Sequence, residues 1–131
     1  MSCRFAAAVP EIPVEDVERG CEYYESKLGF ARDWGSEDGG LAGISRGDCR
    51  LFLADAGFRA GYGNVGPVLI WINVFSKQEV DALFKEWNDA GAGMVSEPED
   101  KAWNLREFTA SDLDGNLIRV FYDFTRDAAQ G

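Results

Sequence analysis

Two features of the composition indicate what chemistry this chain can do: the absence of histidine and the abundance of large aromatic side chains. The sequence has no histidine, which is the commonest general base and the commonest transition-metal ligand. It has four tryptophans, nine phenylalanines and a net charge of −10. Flat rings offer stacking area to a planar ligand, and an acidic surface attracts cations and repels nucleic acid and anionic lipid. The composition therefore favours a cationic partner over an anionic one, although the acidity alone is equally well explained by solubility.

Two of the tryptophans are candidates for a ligand site, and a third stands in a predicted core. Alternation in the run VLIWINV places Trp71 on one face of a strand together with Leu69 and Asn73. Because the whole run is apolar, a core position for Trp71 stays open. Trp103 has polar neighbours and no periodic explanation, which favours a site role. Trp87 lies on the apolar stripe of a predicted helix and is expected in the core.

A second group of candidates follows the first predicted helix. Trp34 comes directly after Asp33, whose carboxylate can pair with a cationic group. Glu37 and Asp38 offer the same chemistry, and a solvated turn explains the three carboxylates equally well. Trp34 is also compatible with an interface. Tyr62, in a stretch rich in glycine, completes this group of ligand-binding candidates.

The elements that position these residues repeat in the two halves of the chain. In the first half we predict an edge strand or arm over 4–13 and a helix over 16–27, which Asp16 caps and Gly29 ends. Three short strands follow, up to residue 55. In the second half a strand precedes a helix that begins at the capping box of Ser76 and Glu79. Strands at 92–96, 105–111 and 117–123 follow, the last two joined by a DLDGN turn.

This repeat predicts an α+β fold in one domain, with two βαβββ modules that share a curved mixed sheet around a cleft. Module one covers about residues 4–58, a glycine-rich linker 56–66, and module two about 67–124. The segments GDCRLFLAD and GNLIRVFYD align in part, which supports the repeat. The three scattered cysteines do not form a disulfide framework. No membrane span or secretory signal is recognisable, so we expect a cytoplasmic protein.

Several motifs resemble one known superfamily over roughly residues 5–124. They are AVPEIPVEDV, YYESKLGFARDW, VLIWINV and AWNLREFTASDLDGNLIRVF. The chain resembles the vicinal-oxygen-chelate superfamily and, within it, the bleomycin resistance proteins. The metal positions of the enzymes in that superfamily fall near Val9, Leu69 and Arg119, none of which binds a cation. The resemblance therefore implies a protein without metal, cofactor or catalytic residues, in which Arg119 fills the space of the metal and pairs with a carboxylate in the cleft.

The same resemblance implies a function. Proteins of this type sequester bleomycin-like drugs, which carry flat bithiazole rings and a cationic tail, and they work as homodimers that exchange their first strands. Pro10 fits such an exchange, and the cleft would lie between modules of different subunits. A metal-independent enzyme such as an isomerase or lyase stays open as an alternative, with Glu11, Glu107, Tyr62 and Tyr122 as its acid–base groups. A binder of another planar metabolite is the third hypothesis.

Overall fold

The computed structural model describes residues 2–36, 39–61, 63, 66–125 and 127, and it has the predicted α+β repeat. The first module contains β1 (Glu11–Pro13), α1 (Val17–Leu28), β2 (Ala31–Ser36), β3 (Leu41–Arg46) and β4 (Cys49–Ala54). A short 3-10 turn, Phe58–Gly61, follows it. The second module contains β5 (Leu69–Asn73), α2 (Lys77–Asp89), β6 (Gly93–Asp100), β7 (Leu105–Ser111) and β8 (Leu117–Asp123).

The strands form two four-stranded mixed sheets, in the orders β1-β4-β3-β2 and β5-β8-β7-β6. In each sheet the first strand of the module pairs in parallel with the last one, and the other pairs are antiparallel. The sequence predicts one shared curved sheet, whereas no ladder joins the two sheets within the described residues. The modules are held together by packing instead, because the helix-covered faces of both sheets contribute to a single buried cluster.

Side-chain hydrogen bonds join the two modules within this shared core. The indole N–H of Trp87 donates to the carbonyl of Leu28 at 3.1 Å. The Tyr24 hydroxyl donates to the carboxylate of Asp112 at 2.8 Å. Both bonds are buried, so each satisfies polar groups that would otherwise lose their contact with water.

Asn116, in the DLDGN turn, makes a further connection. Its side-chain nitrogen donates to the Pro13 carbonyl at 2.9 Å and to Asp112 at 2.8 Å. Its side-chain oxygen accepts from the backbone N–H of Val68 at 2.9 Å. Asn116 is 2% exposed. This one side chain therefore ties the end of β1 to the segment that leads into β5.

Helix α1 follows the predicted pattern to within one residue at each end. The Asp16 side chain accepts a hydrogen bond from the Arg19 N–H and caps the first turn. Gly29 ends the helix with a φ of 75°, a left-handed conformation that glycine adopts without steric cost. The apolar stripe is buried as predicted, at Val17, Cys21, Tyr24 and Leu28.

Helix α2 also begins where the sequence predicts it. The Ser76 side chain accepts from the Glu79 N–H at 3.0 Å. Trp87 is 1% exposed, which confirms its place in the core. Among the described residues, no helix combines the length and the apolar character needed to cross a bilayer.

The N-terminal segment and β6 differ from the predicted bounds. Of the extended segment predicted over 4–13, only Glu11–Pro13 is a strand, at the edge of its sheet, and residues 2–8 are exposed. Strand β6 runs to Asp100 rather than to residue 96. It passes Pro98, which has no N–H to donate, because it is an edge strand with two register shifts relative to β7.

Candidate ligand-binding site

The first sheet carries an aromatic face on the side turned away from the shared core. The Trp34 ring lies against Gly43 of the neighbouring strand, and its centroid is 5.0 Å from that of Phe52 in an edge-to-face arrangement. Trp34 is 40% exposed. We call this the first aromatic face and define it by Asp33, Trp34, Gly43, Ser45 and Phe52.

A β-bulge places Asp33 and Trp34 on this face. Arg32 pairs with Ile44, and Trp34 pairs with Gly43, so the chain carries one extra residue between the two pairs. Without the bulge, alternation would put Trp34 on the same side as Arg32, which forms an ion pair with Glu18 of α1 at 2.7 Å. The extra residue turns the Trp34 side chain to the opposite face of the sheet from Arg32.

Polar groups border the rings of the first aromatic face. The Asp33 carboxylate accepts a hydrogen bond from the Ser45 hydroxyl at 3.0 Å, which orients it beside Trp34. The guanidinium carbon of Arg50 lies 5.7 Å from the centroid of the Phe52 ring. Glu11, opposite Phe52 in the ladder, forms an ion pair with Arg59 at 2.6 Å. The face thus combines flat rings with both signs of charge.

The second sheet carries a corresponding aromatic face. Trp71, Arg119 and Thr109 are register partners across three neighbouring strands. The Trp71 ring is 48% exposed and meets the Phe121 ring edge to face, with 5.5 Å between the centroids. Trp71 is therefore not a core residue. We call this the second aromatic face and define it by Trp71, Trp103, Glu107, Thr109, Arg119 and Phe121.

Glu107 is the buried carboxylate of this second face and is only 5% exposed. One oxygen accepts from the indole N–H of Trp103 at 3.2 Å, and the other lies 3.9 Å from Nε of Arg119. Arg119 Nε donates to the Thr109 hydroxyl at 3.0 Å, and its guanidinium carbon lies 4.9 Å from the centroid of the Trp71 ring. Glu107 thereby connects the exposed Trp103 to the arginine.

The structure brings the predicted site residues together in two groups rather than one. Trp71, Trp103 and Arg119 meet on the second aromatic face, and Asp33 and Trp34 meet on the first. Tyr62 lies outside the described residues, as do Glu37 and Asp38. Glu107 was not among the ligand-binding residues predicted from the sequence. Glu107 lies two residues before Thr109, on the strand next to that of Arg119. Strand alternation therefore places Glu107 on the same face as Thr109, and this pattern could have identified it.

The residues near the superfamily's metal positions do not fit a metal ion. Val9 precedes β1, Leu69 presents an apolar side chain, and Arg119 presents a cation. Within the described ranges, no three side chains of the His, Cys, Asp or Glu type gather in the way a metal site requires. Glu107 is a single carboxylate beside the guanidinium of Arg119. A metal ion needs several deprotonated ligands that converge on it, and this arrangement does not provide them.

A cavity of about 350 Å³ lies apart from the predicted site. Residues of both modules line it, and the apolar ones include Phe30, Ile72, Phe75, Leu83 and Trp87. Among the predicted ligand-binding residues that the structure describes, none lines it. No pattern in the sequence indicates this cavity, because its walls come from segments that meet only after the modules pack together.

Solved structures share this fold over nearly the whole chain. The bleomycin-binding protein from Streptomyces verticillus, complexed with copper(II)-bleomycin, is 28% identical, covering 92% of this chain and 97% of that chain with a TM-score of 0.65. TioX from Micromonospora sp. ML1 is 21% identical, covering 90% and 99% with a TM-score of 0.72. A glyoxalase/bleomycin resistance protein/dioxygenase from Nocardioides is 21% identical, covering 92% and 85% with a TM-score of 0.72. At 21% identity, the likeness to TioX and to the Nocardioides protein shows only that they share the fold of this chain.

Sequence comparison defines the family. No curated protein matches the sequence. The family model of the Glyoxalase/Bleomycin resistance protein/Dioxygenase superfamily matches residues 5–120, which is most of the chain. The chain belongs to the glyoxalase/bleomycin resistance protein/dioxygenase superfamily.

Proposed function

We propose that this protein binds and sequesters a cationic, planar aromatic antibiotic of the bleomycin type in the cytoplasm, without a metal of its own and without catalysis, and so confers resistance. The observation that carries the proposal is the pair of exposed aromatic faces, built on Trp34 with Phe52 and on Trp71 with Phe121. Aromatic contacts with a flat ligand contribute about 0.5–1.5 kcal/mol each beyond area burial. The 28% identity to a bleomycin-binding protein supports this ligand class.

A carboxylate on the first aromatic face supports a cationic ligand. Asp33 is exposed, and one of its oxygens accepts from Ser45. The other oxygen has no hydrogen-bond partner among the residues that the structure describes, so it is available to an ammonium or sulfonium group beside Trp34. The net charge of −10 attracts such a ligand over a longer range at low salt.

We also propose a homodimer in which the first aromatic face of one subunit stands opposite the second aromatic face of its partner. Each aromatic face is an open surface that can cover only one side of a ligand, and the two faces of one chain lie on separate sheets. Among the described strands, β1 and β5 each have a neighbour on one side only. Such open edges favour pairing with another chain.

The N-terminal arm, residues 2–8, would then reach the partner subunit as an exchanged strand. Every residue of this arm is exposed, and Phe5 is 95% exposed. Burial of such an apolar side chain against a partner contributes about 1.5–3 kcal/mol. Sedimentation equilibrium should give a dimer for the full chain and a weakened dimer after deletion of residues 2–8. A monomeric full-length protein at tens of micromolar would refute the dimer.

Calorimetric titration with metal-free bleomycin tests the binding function. The protein, treated with a chelator, should saturate near one ligand per subunit. Trp71→Ala should weaken binding, whereas Phe75→Ala removes an aromatic ring that is 82% exposed but lies on neither face, and should leave the affinity unchanged. The absence of binding at tens of micromolar would sink the proposal.

A metal-independent isomerase or lyase is the second candidate, and the burial of Glu107 is the observation that favours it. A carboxylate that is 5% exposed and lies on the second aromatic face is a candidate general base. Turnover of lactoylglutathione-type substrates, abolished by Glu107→Gln, would establish this activity. A thermal-shift panel of planar metabolites tests the remaining alternative, because a ligand at 100 times its Kd adds about 2.7 kcal/mol of stability.

A further inference from the structure

We propose that Arg119 makes the cleft select ligands whose planar ring carries an oxygen acceptor, either a carboxylate or a carboxamide carbonyl. This inference rests on the proposed function, because it concerns the same cleft, and it adds a requirement that the ring systems alone do not impose. The requirement comes from the way the guanidinium is held on the second aromatic face.

Three neighbours fix the position of the Arg119 guanidinium. Thr109 accepts from Nε at 3.0 Å, Glu107 lies 3.9 Å from the same nitrogen, and the Trp71 ring centroid is 4.9 Å from the guanidinium carbon. Thr109 and Glu107 are only 3% and 5% exposed, so the groups that hold Nε are themselves fixed by packing. The arginine is therefore oriented before any ligand arrives, and binding to it costs little further side-chain entropy.

The terminal nitrogens of this arginine are left available. Within the described part of the chain, Nη1 and Nη2 of Arg119 have no hydrogen-bond partner, and the side chain is 29% exposed. Arg106, on the adjacent strand β7, differs in this respect. Its terminal nitrogens contact Asp81 at 2.8 Å and Asp100 at 3.0 Å. Arg119 thus presents four unused N–H groups in the planar fork that matches a carboxylate or a carbonyl oxygen.

The positive charge of the Arg119 guanidinium decides which ring substituents are favoured. A ring stacked near Trp71 meets the same aromatic surface whatever substituent it carries. An acceptor oxygen gains charge-assisted hydrogen bonds from Arg119, whereas an ammonium group at the same ring position meets a like charge. A cationic tail on the ligand is compatible with this arrangement when it reaches Asp33 on the opposite wall, so the acceptor belongs on the ring and the cation at a distance from it.

Three matched probes test the selection: a bithiazole that carries a carboxylate, a carboxamide or an aminomethyl group at the same ring position. Calorimetry or tryptophan fluorescence gives the three dissociation constants. We expect the wild-type protein to bind the carboxylate and the carboxamide about tenfold more tightly than the aminomethyl compound, which corresponds to about 1.4 kcal/mol. Arg119→Met should reduce this difference to less than about twofold, whereas the control Arg106→Met should preserve it.

Arg119→Lys keeps the charge without the fork and provides a second variant if Arg119→Met folds poorly. It should retain a preference for the carboxylate and lose the preference for the neutral carboxamide. Equal binding of the three probes by the wild type, or a preference that survives in both Arg119 variants, overturns the role of Arg119 and leaves ligand binding in the cleft intact. Failure of the wild type to bind any probe or bleomycin overturns the proposed function as well.

Discussion

The indole ring of Trp34 occupies the space that a side chain at Gly43 would need. A Cβ at residue 43 would lie 2.5 Å from Nε1 and from Cε2 of that ring. Gly43 is therefore required for space rather than for its backbone conformation. The close approach presses the ring of Trp34 against the sheet and sets its angle to Phe52.

Gly43→Ala should displace Trp34 and weaken the binding of metal-free bleomycin by about 2- to 13-fold, since the loss of a stacking contact is worth about 0.5–1.5 kcal/mol. The tryptophan emission spectrum reports the displacement, and calorimetry reports the affinity. Gly61→Ala is the matched control, because a Cβ at that position meets no atom of the described residues within 4 Å. Unchanged emission and affinity in Gly43→Ala would contradict the role given to this contact.

Trp103 and Trp87 should separate binding from stability. Trp87→Ala removes a side chain that is 1% exposed and should lower the free energy of unfolding by about 3–5 kcal/mol. Trp103 is 60% exposed, so Trp103→Ala should cost far less stability and weaken ligand binding more. Urea denaturation and titration of the folded protein measure the two quantities. The reverse order of effects on affinity would remove Trp103 from the site.

Asn116→Ala should destabilise the fold through the connection between the modules. The substitution leaves the Pro13 carbonyl and the Val68 N–H without their partner, at a cost of about 2–4 kcal/mol in the free energy of unfolding. Asn88→Ala on the exposed side of α2 is the control and should change stability by about 0.5 kcal/mol or less. Equal stability of the two variants in urea would show that Asn116 does not tie the modules together.

Alkaline pH should destabilise the protein partly through Tyr24. Burial, followed by the charge of Asp112, holds the pKa of the Tyr24 hydroxyl well above its ordinary value of 10.0. The unfolded chain releases this proton near pH 10 and the folded one does not, so the contribution of Tyr24 is complete below pH 10 and is lost as the pH rises. Tyr24→Phe should be less stable at pH 7 and should lose less stability between pH 9 and 11. Parallel pH profiles of the two proteins would contradict this.

The sequence predicted the elements of the fold better than the geometry of the site. The spacing of Val17, Cys21, Tyr24 and Leu28 predicted α1 because one helical face must be buried. Alternation also placed Trp71 and Leu69 on the same face of β5, and the structure shows that this face is exposed. These are local patterns, which a single sequence carries in full.

The features that could not be predicted from the sequence depend on contacts between distant segments. The direction of Trp34 depends on a bulge, which reverses the alternation that a count along the strand gives. The two sheets share one core through their helix-covered faces without a joining ladder, an arrangement that depends on how the modules pack. The position of Glu107 between Trp103 and Arg119 depends on a strand register that no short motif specifies.

The most direct test of the account mixes two inactive variants. Trp34→Ala and Trp71→Ala should each bind metal-free bleomycin weakly, because each damages both clefts of a homodimer. The purified mixed dimer of the two variants has one intact cleft and one without either tryptophan, so calorimetry should recover wild-type affinity at about half the stoichiometry. If the mixed dimer binds no better than the separate variants, the ligand does not lie between aromatic faces of different subunits, and the central claim is wrong.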